Sequence, residues 1–339
     1  VKQPFASRVF ATILAQWASE AFSMEIRSAL AIVSSAGWIL AAWPASFILY
    51  KSKVPLNWAI VIASVPLPAL ASAYYLVPDG VAVLFALSCF AGMSLNSRIL
   101  ATLGATLTVL TRNTMALSIV LWTAAASLRR TQVYGLSILF GVAVGAVLLA
   151  WMTPAESTNQ HQMNAALYIL AKVPVNAIRN ILGLDIYINT ADWCATPQIV
   201  FSVSHLPGLG DINELGICSF NWSRTMYTLF AYSTIFGVFP YLVARAILRD
   251  VKRGRSKPVK DIALLLSIYA PFTFLFVISP ALGITIKRLF VEAYPLIFPL
   301  ARFVCPICPN PSKQQVAILV CLNIAAVILL HALYPHRSA

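Results

Sequence analysis

Long apolar stretches separated by short polar segments make up most of this chain. A helix of about 20 apolar residues is long enough to cross the hydrocarbon core of a bilayer. Six stretches have about this length: 28–50, 57–77, 132–152, 225–248, 262–286 and 316–334. Three more are shorter: 80–96, 98–111 and 115–128. The pattern predicts an all-α integral membrane protein with about nine transmembrane helices.

The region 98–128 allows two interpretations, because Arg112 and Asn113 interrupt its apolar run. It is either one long helix or a hairpin of two short spans with Arg112 at its outer tip. Lys and Arg in short loops are retained in the cytoplasm. With a hairpin, the basic groups all fall on one side: Lys51, Lys53, Arg98, Arg129, Arg130, the segment 249–260 and the C-terminal tail. The hairpin is therefore predicted, with the C-terminus in the cytoplasm.

This topology makes residues 1–339 a single polytopic membrane domain. The basic loop 249–261 is cytoplasmic, and the segments 1–27, 153–224 and 287–315 face outwards. In loop 153–224, apolar residues recur at helical spacing between Met163 and Leu184. Such a stretch predicts a helix lying on the membrane surface, although Pro174 would also allow two short helices.

Composition excludes a soluble domain. The chain is 60% hydrophobic and only 10% charged, with a mean hydropathy of +0.81, whereas soluble domains have about 25% charged residues. The net charge of +13 comes largely from caps beside apolar spans and does not indicate nucleic acid. The lipid bilayer is the predicted partner, and a bacterial inner (plasma) membrane is the predicted location.

Cysteine placement agrees with this topology. Cys194 and Cys218 fall in the long outer loop, where an oxidising compartment would allow them to form a disulfide. Cys305 and Cys308 form a CxxC pair in the last outer loop. No second CxxC or neighbouring His completes a zinc site, so we expect a local disulfide or two free thiols.

Candidate chemistry lies on the outer side. Lys287 and Arg288 follow a span end, and Arg holds phosphate groups bidentately; with Arg112 they are candidates for phosphate binding, or else anchors to lipid headgroups. Glu20 and Glu25 precede the first long span, where a carboxylate serves either as a general base or as a favourable charge near a helix start.

Several kinds of function have no motif here. The chain contains no phosphate-binding loop, no HExxH, no GxSxG and no His cluster with metal-ligand spacing. The sequence requires no cofactor; a divalent metal is allowed but has no supporting motif. We also expect no ionisable residues in the middle of the spans, where proton-coupled transporters and pumps usually carry them.

Three features together resemble the GT-C class of polytopic glycosyltransferases. They are closely spaced spans with basic inner caps such as Arg129-Arg130, the long outer loop 153–224, and a late segment in which Lys287-Arg288 precedes Tyr294-Pro295 and an apolar run. The resemblance implies transfer of a sugar from a polyprenyl-phosphate donor to an envelope glycan or lipid, with inversion at the anomeric carbon. It implies that Glu20 or Glu25 is the base and that Arg288 holds the lipid phosphate.

Two other functions remain open. A permease or flippase for a lipid or small amphiphile would need a polar path that reaches both faces of the bundle. A non-catalytic membrane subunit would instead present an apolar patch on loop 153–224 to a partner protein.

Overall fold

The computed structural model describes residues 9–64, 79–116, 119–120, 122–123, 132–152, 178, 182–188, 199–202, 214–220, 222, 294–304 and 310–333. Its helices are α1 (Val9–Phe22), α2 (Ile26–Lys51), α3 (Leu56–Ala63), α4 (Asp79–Ser94), α5 (Arg98–Thr111), α6 (Gln132–Met152), α7 (Tyr294–Val304) and α8 (Lys313–Leu333). Its strands are β1 (Leu184–Ile188), β2 (Ile199–Ser202) and β3 (Glu214–Phe220). The described residues are mostly helical, which is compatible with the predicted helical class.

Two of the described helices are long and apolar enough to cross a membrane, at Ile26–Lys51 and Gly135–Met152. Both leave large apolar side chains exposed, among them Trp43 on α2 and Trp151 at the end of α6. Aromatic residues at span ends are typical of the membrane–water interface. These helices support membrane association weakly. The count of nine spans stays a prediction, since 225–248 and 262–286 lie outside the described residues.

Small residues let the helices approach closely. A Cβ atom on Gly37 of α2 would lie 2.5 Å from the backbone nitrogen of Val81 in α4, and one on Gly104 of α5 would lie 2.6 Å from that of Cys89. Neither contact leaves room for a side chain. Because lipid tails are as apolar as leucine, helices in a membrane associate through such close packing rather than through the hydrophobic effect.

The chain reverses direction just after Thr111. In α5, Thr102 Oγ1 donates to the carbonyl of Ser137 in α6 at 3.1 Å, and Thr106 Oγ1 donates to that of Gly141 at 2.9 Å. Contacts that advance together along both helices mean that α5 and α6 run parallel. The segment between them must therefore return to the starting side, which excludes one long helix over 98–128 and agrees with the predicted hairpin.

The predicted outer loop 153–224 and its border contain a small antiparallel sheet, which the all-helical prediction missed. The strand order is β1-β3-β2, and Ile217 of β3 is opposite both Ile186 and Ile199. β-branched residues pack well on a pleated surface, which explains why these short isoleucine-containing segments form strands. Ile178 and Leu182 are helical as predicted, but a strand begins at Leu184 after Gly183, whose φ is 71°.

The segment predicted as the outer loop 287–315 contains a buried helix. The described side chains at the start of α7 are buried, Tyr294 and Phe298 among them. Tyr294 packs edge-on against Trp38 of α2, with ring centroids 5.6 Å apart. This segment is therefore partly built into the helix bundle.

Candidate functional site

A buried ion pair joins α4 to the end of α5. Arg112 Nη1 donates a hydrogen bond to Asp79 Oδ1. The two side chains are 6% and 1% exposed, respectively. Burying a charge is costly unless it is paired, so each charge makes the burial of the other tolerable. Ionisable residues inside transmembrane bundles commonly mark substrate or ion pathways.

Local structure brings the two residues together. Asp79 is the first residue of α4, where a negative charge is favourable because the helix dipole is positive at its N-terminus. Arg112 follows the last residue of α5 and has extended backbone dihedrals, φ −157° and ψ 93°. The helices α4 and α5 form an antiparallel hairpin in which Gly92 lies beside Ala101. The open end of that hairpin therefore places Asp79 and Arg112 at the same level.

The pair lies within the length of both candidate spans. Gly80, the neighbour of Asp79, contacts the backbone of α2 at Ser34 and Trp38. At 1.5 Å per residue, the nearby Gly37 is about 17 Å from the start of α2 and about 21 Å from its end. Gly145 of α6 lies beside Val109 of α5. Because α5 and α6 run parallel and Arg112 is three residues after Val109, Arg112 lies roughly one turn further along α6 than Gly145. Arg112 is thus inside the bundle.

Two aromatic residues add polar groups near the pair. Trp38 Cδ1 would lie 2.5 Å from a Cβ atom on Gly80, so the indole ring borders the start of α4. Its Nε1 atom is buried and has no hydrogen-bond partner among the described residues. Tyr294 of α7 packs against the same indole. The buried surroundings of the pair therefore include the Trp38 indole, with Tyr294 packed on it, and the side chains of Ser34 and Thr111 on the adjoining helices.

The structure gives the environment of one predicted site residue and identifies a second charged residue beside it. Arg112 was expected at the hairpin tip, facing protein or water, and the structure places it at the end of α5, buried and bonded to Asp79. Asp79 and Arg112 are at helix ends, so the expectation that no ionisable residues lie in the middle of the spans stays a prediction. Sequence reasoning missed Asp79 because Pro78-Asp79-Gly80 has the composition of a turn. The available signal was an isolated acidic residue between two apolar stretches.

The two predicted catalytic glutamates are exposed at the α1–α2 turn. Glu20 lies near the end of α1 and accepts a hydrogen bond from Gln16 Nε2 at 3.0 Å. Glu25 immediately precedes α2, and its side chain makes no capping hydrogen bond. The structure does not bring either glutamate to Arg112. Lys287 and Arg288, the other predicted phosphate ligands, lie outside the described residues, so their roles stay predictions.

Cys218 forms a disulfide. Cys194, its predicted partner, lies outside the described residues, as do Cys305 and Cys308. Cys89 and Cys321 are free thiols. The pairing of Cys218 with Cys194 therefore stays a prediction, while the bond itself is compatible with an oxidising outer compartment.

No group of three His, Cys, Asp or Glu side chains placed to hold a metal occurs within the described part of the chain. No protein-family model, curated protein or solved structure matches this sequence.

Proposed function

We propose that this protein is a polytopic membrane permease that moves a lipid or small amphiphile across the bilayer. The observation that carries the proposal is the buried Asp79–Arg112 pair within the length of two candidate spans. A pump or carrier usually needs ionisable residues inside its spans, and this pair supplies them. The proposal includes the nine-span topology with the C-terminus in the cytoplasm and a location in a bacterial inner membrane.

A leaflet-exchange assay tests this function. The purified protein is reconstituted into vesicles that contain fluorescent NBD-labelled phospholipids, and dithionite then bleaches the label in the outer leaflet. A permease makes the inner-leaflet label accessible faster than in protein-free vesicles. The double variant Asp79→Asn/Arg112→Gln, which removes both charges of the site, should slow this exchange. Equal bleaching in wild-type and protein-free vesicles, for every labelled lipid, contradicts the permease.

A second candidate is the polyprenyl-phosphate glycosyltransferase implied by the family resemblance. The observation that favours it is the exposure of Glu20 and Glu25 on either side of one turn, where a carboxylate is accessible to an acceptor hydroxyl. In this mechanism a glutamate takes the acceptor proton, the acceptor oxygen attacks the anomeric carbon, and the lipid phosphate leaves. Lys287 and Arg288 would hold that phosphate.

Radiolabelled sugar on a polyprenyl phosphate tests the enzyme. We expect transfer to membrane acceptors to fall on replacement of either glutamate by glutamine or of Arg288 by glutamine. Arg27→Gln, at an exposed charged residue beside the same turn, is the matched control and should retain activity. Full transfer by all three site variants would exclude this mechanism. Failure of both the transfer and leaflet-exchange assays would favour a non-catalytic membrane subunit.

A further inference from the structure

We propose that the Asp79–Arg112 pair is a proton-coupled binding site for an amphiphile with a monoanionic head group. This inference rests on the proposed permease and names its substrate class. In the structure, the Asp79 carboxylate occupies the position at the Arg112 guanidinium where the oxyanion of a substrate would bind. Arg binds carboxylates and phosphates with the same fork of N–H donors.

Charge balance couples the proton to the substrate. The present pair is neutral, because one carboxylate faces one guanidinium. If Asp79 alone took a proton, Arg112 would become a buried positive charge without its counter-ion, and a substrate anion entering alone would leave two anions beside one cation. Both states are costly in a low-dielectric interior. Binding one proton to Asp79 and one anion to Arg112 together keeps the site neutral.

The charged residues of the described neighbouring helices lie away from the pair. On α2, the basic side chains Arg27 and Lys51 lie only at the two ends. On α7, Tyr294 packs against Trp38, and Arg302 follows two turns later. The described residues therefore bring one cation to the site, which matches a head group with a single negative charge.

The buried indole of Trp38 supplies a second donor. Its Nε1 atom has no hydrogen-bond partner among the described residues, although a buried N–H group normally has one. Trp38 also borders the residue next to Asp79. In the proposed site, this N–H group on α2 donates a second hydrogen bond to the oxyanion that binds Arg112.

The transport step follows from these contacts. A proton from the outer side binds the Asp79 carboxylate and breaks its hydrogen bond with Arg112. The head-group oxyanion then binds the Arg112 guanidinium. When the site opens inwards, the anion leaves, Asp79 releases its proton to the inner water, and the carboxylate binds Arg112 again. One proton and one negative charge move in the same direction, so the cycle is electrically neutral.

Vesicles with a pH-sensitive dye in the lumen and a more acidic exterior test the coupling. The probes are NBD-phosphatidylglycerol, which has a phosphodiester anion, an NBD-labelled N-acylglycine, which has a carboxylate, and zwitterionic NBD-phosphatidylcholine. We expect an anionic probe to move inwards about tenfold faster than phosphatidylcholine, because one hydrogen bond to a charged group is worth about that factor. Luminal acidification should accompany it. The faster anionic probe identifies the head group.

The variant Asp79→Asn should move the anion without acidifying the lumen. Since that variant leaves a buried cation, the neutral pair Asp79→Asn/Arg112→Gln provides a second test in a stable background. It should lose both the anion preference and the proton movement. Wild-type protein that moves all probes equally, without acidification, overturns the proton-coupled site and leaves the permease standing. A double variant that keeps both properties also overturns it. Movement of no probe above protein-free vesicles overturns the permease and the site together.

Discussion

Breaking the Asp79–Arg112 pair should destabilise the protein far more than removing it entirely. In Asp79→Asn the guanidinium of Arg112 stays buried without the carboxylate that balances it. Loss of one partner of a buried pair costs about 3–5 kcal/mol, whereas an exposed pair contributes only about 0–1 kcal/mol. The larger range applies because the two side chains are 6% and 1% exposed.

The double variant Asp79→Asn/Arg112→Gln replaces both charges with neutral polar groups, of which Asn matches Asp in shape and Gln is shorter than Arg. Replacing both partners leaves no uncompensated charge and is nearly neutral in favourable cases. We therefore expect the free energy of unfolding of the double variant to lie within about 1 kcal/mol of the wild-type value. The double variant should therefore be about 2–4 kcal/mol more stable than Asp79→Asn alone.

The assay is reversible unfolding by SDS in mixed micelles, monitored by far-ultraviolet circular dichroism. The free energies of unfolding of the wild type, Asp79→Asn and the double variant are compared. Arg98→Gln is the matched control, since Arg98 is the exposed first residue of the same helix that ends beside Arg112. A loss below about 1 kcal/mol for Asp79→Asn would place the pair among exposed ones and refute the reasoning. A double variant as unstable as the single one would also refute it.

Three further changes have expected outcomes. Gly80→Ala puts a methyl group against the backbone of α2 and should lower the free energy of unfolding by about 1–3 kcal/mol. In the same SDS titration, Ala36→Val on the exposed side of α2 should change that free energy little. Cys218→Ser should lower the stability of the region around loop 153–224 by about 2–4 kcal/mol, measured as faster proteolysis of the loop. Cys321→Ser, at a free exposed thiol, should leave the proteolysis rate unchanged. Equal proteolysis of both variants would contradict this. Ser97→Ala removes the side-chain cap that accepts from the Leu100 N–H group at 3.3 Å and should destabilise α5 by about 1 kcal/mol, measured as faster amide exchange at its first turn; unchanged exchange there would exclude the cap.

Several local features follow from the sequence because their causes are local. The apolar runs predict α2 and α6, and the structure forms helices there. Arg112 and Asn113 are polar residues inside an apolar run, and the helix does end at that point. The role of Arg112 could not be predicted in the same way, because its exposure depends on which residue of another helix lies opposite it.

The sequence by itself determined that this chain is mostly helical and rich in membrane-length apolar segments, because hydrophobic run length and periodicity are read along the chain. Only the tertiary structure decided that Asp79 and Arg112 form a buried pair, since 33 residues separate them and only the antiparallel packing of α4 and α5 brings them together. The same holds for the three-stranded sheet, whose strands are short and gain their hydrogen bonds from distant segments. The position of the site therefore depends on contacts between helices, and these contacts form where small residues allow two backbones to approach closely.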